Sequence, residues 1–169
     1  GTVELSPFEM ASAYSAFVNK GLWIEPTYIT RIEDKDGNVI EEFETPKHDQ
    51  VLDAEKAYTM LQLLKRVVER GTAFGMKGRY EIEGDIGGKT GTTQGAADGW
   101  FMGVTNDLVC ATWVGADDPT VRVRYSSMGQ GSKMAMPIFG QFMKTLQHDK
   151  KINYIAKPFE APEGMDISA

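Results

Sequence analysis

The sequence is poor in the side chains that bind metals or form covalent cross-links. It has a single cysteine, Cys110, which rules out a disulfide within the chain and any metal cluster built on thiolates. The two histidines, His48 and His148, lie far apart in polar stretches, and neither has a second ligand at a spacing that would hold a metal ion. We therefore expect no metal site and no cofactor.

Clusters of positive charge and long apolar runs are also missing. The net charge is −6, from 18 basic and 24 acidic residues, and the basic residues are scattered rather than interleaved with aromatic ones. Nucleic acid is therefore not an expected partner. The longest apolar runs, such as residues 108–114, are too short to span a bilayer, and no signal-peptide pattern opens the chain. Targeting information, if there is any, is expected upstream in a longer protein.

What the sequence does contain is typical of one globular domain, with 169 residues of which 41% are hydrophobic and 25% charged. Residues 6–9 have the pattern of a capping box and predict a helix that is stopped by Gly21. A second helix is predicted over residues 54–70, where apolar residues recur with a 3.6-residue period. Asp53 is its expected cap and Gly71 its expected end.

Strands are predicted for much of the rest. Two β-prone runs, residues 27–34 and 38–44, flank Asp36-Gly37 and predict a hairpin. The glycine-rich stretch 71–88 predicts a long surface loop. Three further strands are expected over residues 85–93, 98–105 and 109–116, and a short one near residues 121–125.

A last helix is predicted to begin between residues 133 and 137. Its expected apolar face consists of Ile138, Phe139, Phe142, Met143 and Leu146. Helices on both sides of a succession of strands indicate an α+β fold, in which helices pack on an antiparallel sheet. After His148 the chain turns polar and loses its period, so we expect one domain over residues 1–148 and a loosely ordered polar tail over residues 149–169.

The most informative feature for function is the sequence Lys89-Thr90-Gly91, followed by Thr92. One ammonium and two hydroxyl groups suit an anionic ligand such as a carboxylate. Gly91 leaves room for a ligand against the backbone, and a strand at a sheet edge can pair with an extended peptide. A glycine-rich hairpin with a surface lysine explains the same residues equally well.

Three segments carry a resemblance that goes beyond the tripeptide: residues 1–14, residues 67–73 and residues 87–101, with Trp113-Val114-Gly115 in support. Together they resemble class A, bifunctional penicillin-binding proteins over most of residues 1–146. Lys-Thr-Gly is one of three motifs that this family shares with serine β-lactamases, alongside Ser-x-x-Lys and a Ser-x-Asn type motif. The resemblance implies that the chain is the C-terminal portion of a penicillin-binding, serine β-lactamase-like transpeptidase domain.

The resemblance also implies roles for the residues of the motif. Lys89 would supply positive potential and organise the hydroxyl groups around the nucleophile. Thr90 and Thr92 would bind the terminal carboxylate of a D-Ala-D-Ala peptide or of a β-lactam, and the N–H of Thr92 would be one of two donors in an oxyanion hole. The expected catalytic residues are thus Lys89 and Thr92, and the expected substrate-binding residues are Thr90, Gly91, Thr92 and Thr93.

The serine nucleophile of this chemistry is missing from the sequence. None of the seven serines has a lysine three positions later, and none begins Ser-x-Asn. In the family both motifs precede Lys-Thr-Gly, so we expect the chain to begin inside the domain and to need the upstream half of the same domain as its partner. Because serine acyl transfer requires an activated hydroxyl, the chain alone is expected to be inactive.

The expected whole protein is a peptidoglycan D,D-transpeptidase that takes stem peptides as substrates and β-lactams as inhibitors. A β-lactam sensor that shares this domain, a D,D-carboxypeptidase and a β-lactamase are the alternatives. The resemblance implies a location on the extracytoplasmic face of the bacterial inner membrane. Contact with the membrane is expected only through an N-terminal anchor of the longer protein.

Overall fold

The structure is a computed structural model that describes residues 3–44, 46–118, 120–125 and 127–165. Its helices are α1 (Pro7–Val18), α2 (Ala54–Arg70), α3 (Met76–Tyr80), α4 (Gly131–Met134) and α5 (Met136–His148). Its strands are β1 (Leu22–Ile24), β2 (Arg31–Glu33), β3 (Val39–Glu42), β4 (His48–Gln50), β5 (Gly87–Thr92), β6 (Asp98–Val104) and β7 (Val109–Gly115). Helices packed with antiparallel strand pairs confirm the α+β fold.

The first two long helices begin where their capping residues predict. The hydroxyl of Ser6 accepts a hydrogen bond from the N–H of Glu9 at 3.2 Å, and the carboxylate of Glu9 accepts one from the N–H of Ser6 at 2.8 Å. This reciprocal pair is the capping box. Asp53 caps α2 by accepting from the N–H of Lys56 at 2.7 Å, and the helix ends before Gly71, so both of its predicted bounds are confirmed.

The strands of the described residues form three antiparallel sheets: β1 with β4, β2 with β3, and β5-β6-β7. The β2–β3 pair confirms the predicted hairpin, although its strands are shorter than expected. In the three-stranded sheet Gly87 lies opposite Val104 and Thr92 opposite Gly99. Strands β5, β6 and β7 confirm the three predicted strands, with ends that differ by at most two residues.

Helices cover both faces of this sheet. On one face, Phe101 of β6 packs against Phe139 of α5, with ring centroids 5.2 Å apart. On the other face, Val104 of β6 packs with Leu61 and Leu64 of α2. The sheet therefore holds β5 between two packed layers and leaves one long side of that strand without a neighbouring strand in the described residues.

The prediction of a surface loop over residues 71–88 is wrong for the middle of this stretch. This stretch contains α3, and Met76, Ile82 and Ile86 are buried in the core beside Phe101. The glycines of the stretch permit turns, but the apolar residues between them have no regular period. Tertiary packing, rather than a local pattern, therefore buries these side chains.

Two smaller predictions are also corrected. Residues 121–125 form no strand, and Val121 and Tyr125 are exposed, because these β-prone residues find no strand to pair with in the described chain. On α5, Phe139 and Met143 are buried, whereas Ile138 and Phe142 are exposed. The helix therefore buries a narrower stripe than its five apolar residues predict.

The described part of the C-terminal segment, residues 149–165, contains no helix or strand. It nevertheless lies against the sheet, where Ala156 and Phe159 are buried. The division into a domain over residues 1–148 and a loosely ordered tail over residues 149–169 stays a prediction.

Candidate active site

Strand β5 carries the Lys-Thr-Gly motif at the edge of the three-stranded sheet, and within the described residues it pairs only with β6. Just beyond the strand, the N–H of Thr93 donates to the carbonyl of Asp98 at 3.3 Å. Residues of an antiparallel strand direct their backbone groups alternately toward and away from the neighbouring strand. The N–H groups of Thr90 and Thr92 therefore point to the open edge, where an extended peptide can add.

The side chains of the motif divide between the two faces of the sheet, because successive residues of a strand point to opposite sides. Thr90 and Thr92 share the face that meets α4, where the N–H of Gly131 donates to Thr92 Oγ1 at 3.1 Å. Lys89 and Gly91 occupy the other face. The Lys89 Nζ donates to the carbonyl of Thr90 at 2.7 Å, so the ammonium lies at the open edge rather than directly beside the two hydroxyls.

Both threonine hydroxyls of the motif have a hydrogen-bond partner in the protein, and these contacts leave protons that a ligand can accept. Thr92 Oγ1 already accepts from Gly131, so its own proton can be donated to a ligand. Thr90 Oγ1 lies 2.7 Å from Thr72 Oγ1, and in such a pair one hydroxyl donates while the other keeps its proton. With Thr72 as the donor in that pair, this face of β5 can donate two hydrogen bonds to a carboxylate.

These threonines open onto a pocket of about 440 Å³, whose lining also includes Gln130 and Ser132. Amide and hydroxyl groups thus surround the donors. A second pocket, of about 420 Å³, lies on the Lys89 side and is lined in part by Met10, Tyr14 and Met102. The open edge of β5 thus lies between two pockets, one lined by Thr72, Gln130 and Ser132 and the other by side chains of α1 and β6.

Comparison with known proteins connects this arrangement to a family. The family model "Penicillin binding protein transpeptidase domain" matches residues 1–144. The chain belongs to this family. It is 30% identical to penicillin-binding protein 1A of Pseudomonas aeruginosa over 94% of its length, and 33% identical to penicillin-binding protein 1A of Aquifex aeolicus over 96%.

The fold agrees with the same family. The crystal structure of penicillin-binding protein 1A from Haemophilus influenzae matches with a TM-score of 0.71 and 31% identity, over 86% of this chain and 27% of that one. The chain covers 25% of the Pseudomonas protein and 21% of the Aquifex protein. It therefore spans about a quarter or less of the length of these relatives.

The pocket beside Thr90 and Thr92 is also lined by polar residues that were not among the candidates from sequence: Thr72, Gln130 and Ser132. Thr72 lies within the segment 67–73 that carries the family resemblance, so its position in that segment could have marked it as a candidate site residue. Its contact with Thr90 bridges 18 positions, however, and depends on how the end of α2 meets β5. Gln130 and Ser132 follow a long irregular stretch and carry no sequence signal for the site.

Thr93, the last of the candidate binding residues, is engaged in the turn between β5 and β6. Its Oγ1 accepts a hydrogen bond from the N–H of Asp98 at 3.0 Å. On β7, the indole N–H of Trp113 donates to Asp98 Oδ2 at 3.1 Å. These contacts hold the end of β5 against its neighbours, and any contact of Thr93 with substrate stays a prediction.

The expectations from sequence also concern cysteine chemistry, metal binding and membrane spans. Cys110 on β7 is half-buried, and burial raises the pKa of its thiol. Over the described ranges, no group of three or more His, Cys, Asp or Glu side chains could hold a metal ion. In the same part of the chain, no helix is both long and apolar enough to cross a bilayer.

Proposed function

We propose that this chain is the C-terminal part of a peptidoglycan D,D-transpeptidase domain and forms the Lys-Thr-Gly wall of its active site. The observation that carries the proposal is the edge strand β5, which combines outward backbone N–H groups with two threonine hydroxyls able to donate to a carboxylate. The match of residues 1–144 to the penicillin-binding transpeptidase family supports it.

The ligand chemistry follows from the donors. A D-Ala-D-Ala stem peptide ends in a carboxylate, and a β-lactam of the penicillin class carries one in the corresponding place. Thr90 and Thr92 bind this carboxylate through their hydroxyls, with Thr72 fixing the hydroxyl of Thr90. Gly91 lets the peptide lie against the strand, and Thr93 extends the binding surface toward the turn.

The reaction requires a serine supplied by the upstream half of the domain. Its oxygen bonds to the carbonyl carbon of the penultimate D-Ala, the peptide C–N bond breaks, and the terminal D-Ala leaves with a proton on its amine. An amine of a second stem peptide then attacks the ester, which forms the cross-link and returns a proton to the serine. The N–H of Thr92 stabilises the negative oxygen in both steps, and Lys89 adds positive potential at the strand edge.

The location follows from the substrate. Peptidoglycan lies outside the cytoplasmic membrane, so the whole protein works on the extracytoplasmic face and is attached through an N-terminal anchor. Its partners are stem peptides, β-lactams and the upstream half of its own domain.

A labelling experiment tests the proposal. The 169-residue chain and the full-length protein are each incubated with a fluorescent penicillin, and D-Ala release from a D-Ala-D-Ala stem peptide is followed in parallel. We expect covalent labelling and D-Ala release with the full-length protein and neither with the chain alone. Failure of the full-length protein to label would overturn the proposal, and rapid turnover of the penicillin would indicate a β-lactamase instead.

A further inference from the structure

The C-terminal segment 149–165 lies beyond the part of the chain that the family model matches, which ends at residue 144. It has no regular secondary structure, yet it crosses the sheet at the end where β5 begins. Two places in the earlier part of the chain accept its hydrogen bonds, the β6–β7 turn and the entry to β5.

The first place is the turn between β6 and β7. The Tyr154 hydroxyl donates to Asp107 Oδ1 at 2.6 Å and lies 2.6 Å from the hydroxyl of Thr105, which is fully buried. The N–H of Lys157 donates to Asn106 Oδ1 at 3.0 Å. Three consecutive residues of the turn thus bind the segment.

The second place is the entry to β5. The N–H of Phe159 donates to Asp85 Oδ2 at 3.2 Å, and the same carboxylate receives Lys65 Nζ of α2 at 2.8 Å. The backbone of Ala156 lies against Gly84 so closely that a Cβ at Gly84 would collide with the Ala156 carbonyl. Asp85 therefore joins α2, the C-terminal segment and the two residues that lead into β5.

The side chain of Phe159 continues this connection into the core. It is 7% exposed and packs with Leu61, Leu64 and Val104. Val104 is the partner of Gly87, the first residue of β5, and a Cβ at Gly87 would collide with Leu64 and Val104. The segment thus completes the apolar layer directly beneath the start of the strand.

An edge strand needs such support more than a central one does. Within the residues that the structure describes, strand β5 has a ladder on one side, and its other side is the one that the proposed substrate occupies. Its position must therefore be fixed by the packing below it and by its two ends. The turn through Thr93 and Asp98 fixes one end, and the contacts of Asp85 fix the other.

We propose that residues 149–165 form a strap that holds the start of β5 in place, with Asp85 as a positioning residue that links the strap to the active-site strand. The expected effect of the strap on catalysis rests on the proposed function, whereas its expected effect on the position of β5 does not.

Hydrogen exchange of the full-length protein tests the effect on the strand. The amides of Lys89 and Gly91 point toward β6 and are expected to be protected. Phe159→Ala and Asp85→Asn are expected to speed exchange of these amides by roughly tenfold or more, because the strand start opens locally. Ile155→Ala is the matched control within the strap, since Ile155 is 66% exposed. Unchanged exchange in Phe159→Ala and Asp85→Asn would overturn the strap.

Acylation by a fluorescent penicillin tests the effect on catalysis, with the affinity of the initial complex and the acylation rate constant measured separately. Each variant is assayed at a temperature at which circular dichroism shows it fully folded. We expect Phe159→Ala to slow acylation by roughly 10- to 100-fold with little change in initial affinity, since a misplaced reacting group chiefly affects the chemical step. Phe159→Leu is expected to restore most of the rate.

The outcomes separate the two proposals. A wild-type protein that is not acylated contradicts the proposed function, and hydrogen exchange then decides on the strap alone. A wild-type rate in folded Phe159→Ala contradicts a role of the strap in catalysis. A loss of rate that Ile155→Ala reproduces contradicts it as well.

Discussion

The hydroxyl of Thr92 is the group whose surroundings say most about the ligand. Because this hydroxyl accepts a hydrogen bond from the Gly131 N–H, its own proton points away from Gly131 and can be donated to a ligand. The hydroxyl of Thr90 pairs with that of Thr72 at 2.7 Å, and either of the two can donate. A pair of donors prepared at an open strand edge favours an anionic ligand over a neutral one, since hydrogen bonds to charged groups are the stronger ones.

Replacing these hydroxyls by methyl groups tests that preference. In the full-length protein, Thr90→Val and Thr92→Val each remove one hydrogen bond to the ligand carboxylate, which is worth about 1.5–3 kcal/mol. We expect acylation by penicillin to slow by roughly 10- to 100-fold in each variant. The measurement is the second-order rate constant of acylation.

Three comparisons make this result specific. Thr92→Ser keeps the hydroxyl and is expected to retain most of the rate. Thr145→Val on α5 removes a hydroxyl that binds the Gln141 carbonyl away from the site, and it should change nothing. A methyl ester of the same penicillin should react with wild type and Thr92→Val at similar rates. An equally large loss with the ester would argue against a carboxylate contact.

Among the elements, the approach of α4 to β5 depends on a residue without a side chain. A Cβ at Gly131 would collide with the carbonyl oxygens of Gly91 and Trp100, which belong to the β5–β6 ladder. We therefore expect Gly131→Ala to lower the thermal unfolding temperature and to slow acylation, because the helix start and Thr92 must move apart. Differential scanning fluorimetry and the labelling rate measure the two effects.

Gly78 on α3 is the matched control for this substitution. A Cβ there meets nothing within 4 Å, and the residue lies in a helix. Gly78→Ala should leave acylation unchanged and stabilise the domain by about 0.4–1 kcal/mol, because alanine loses less chain entropy on folding. Equal behaviour of the two alanine variants would contradict the packing described for α4.

The strap contains one group whose titration is informative. Burial, followed by the hydrogen bond to Asp107, raises the pKa of Tyr154 to about 12 from its ordinary value of 10.0. A raised pKa in the folded state means that the neutral hydroxyl stabilises the fold below pH 10 and that this contribution disappears as the pH rises toward 12. We expect the strap to loosen in that interval. Hydrogen exchange would detect the loosening of the strap, and tyrosinate absorbance would detect the ionisation of Tyr154.

Tyr154→Phe is the control for this titration. It should weaken the strap at neutral pH and remove the part of the alkaline transition that belongs to this residue. An alkaline transition identical in wild type and Tyr154→Phe would show that other groups cause it.

The sequence allowed some of these elements to be predicted well and others not at all. The bounds of α2 follow from Asp53 and Gly71, since capping and glycine termination are local signals. Strands β6 and β7 follow from short apolar runs separated by a turn, whereas β5 consists of glycine, threonine and one lysine. The helix α3 and the burial of Ile86 depend on contacts with distant parts of the chain, and local patterns carry no information on these.

The position of the candidate site in the fold could be predicted in part, and the roles of its residues stay predictions. Lys89 to Thr92 stand out as a motif within one strand, and Thr93 follows its end. The division of Lys89 and Thr90 between opposite faces follows from strand geometry once the strand is known. The pairing of Thr72 with Thr90 requires the tertiary structure, because it joins the end of one helix to the middle of a strand.

At the scale of the whole molecule, the chain offers binding groups without the nucleophile that the proposed reaction needs. The relatives are about four to five times as long, with this chain covering 25% and 21% of two of them. No serine in these 169 residues is followed by lysine three positions later. Ser132 lines the pocket beside Thr90 and Thr92. It is therefore the serine of this chain that could be mistaken for the nucleophile.

The most direct test of the central claim is to map the penicilloyl adduct in the full-length protein. After labelling and proteolysis, mass spectrometry identifies the modified peptide. We expect the adduct on the serine of a Ser-x-x-Lys peptide outside these 169 residues, and we expect Ser132→Ala to label as wild type does. An adduct on Ser132, or on any other residue of this chain, would contradict the account.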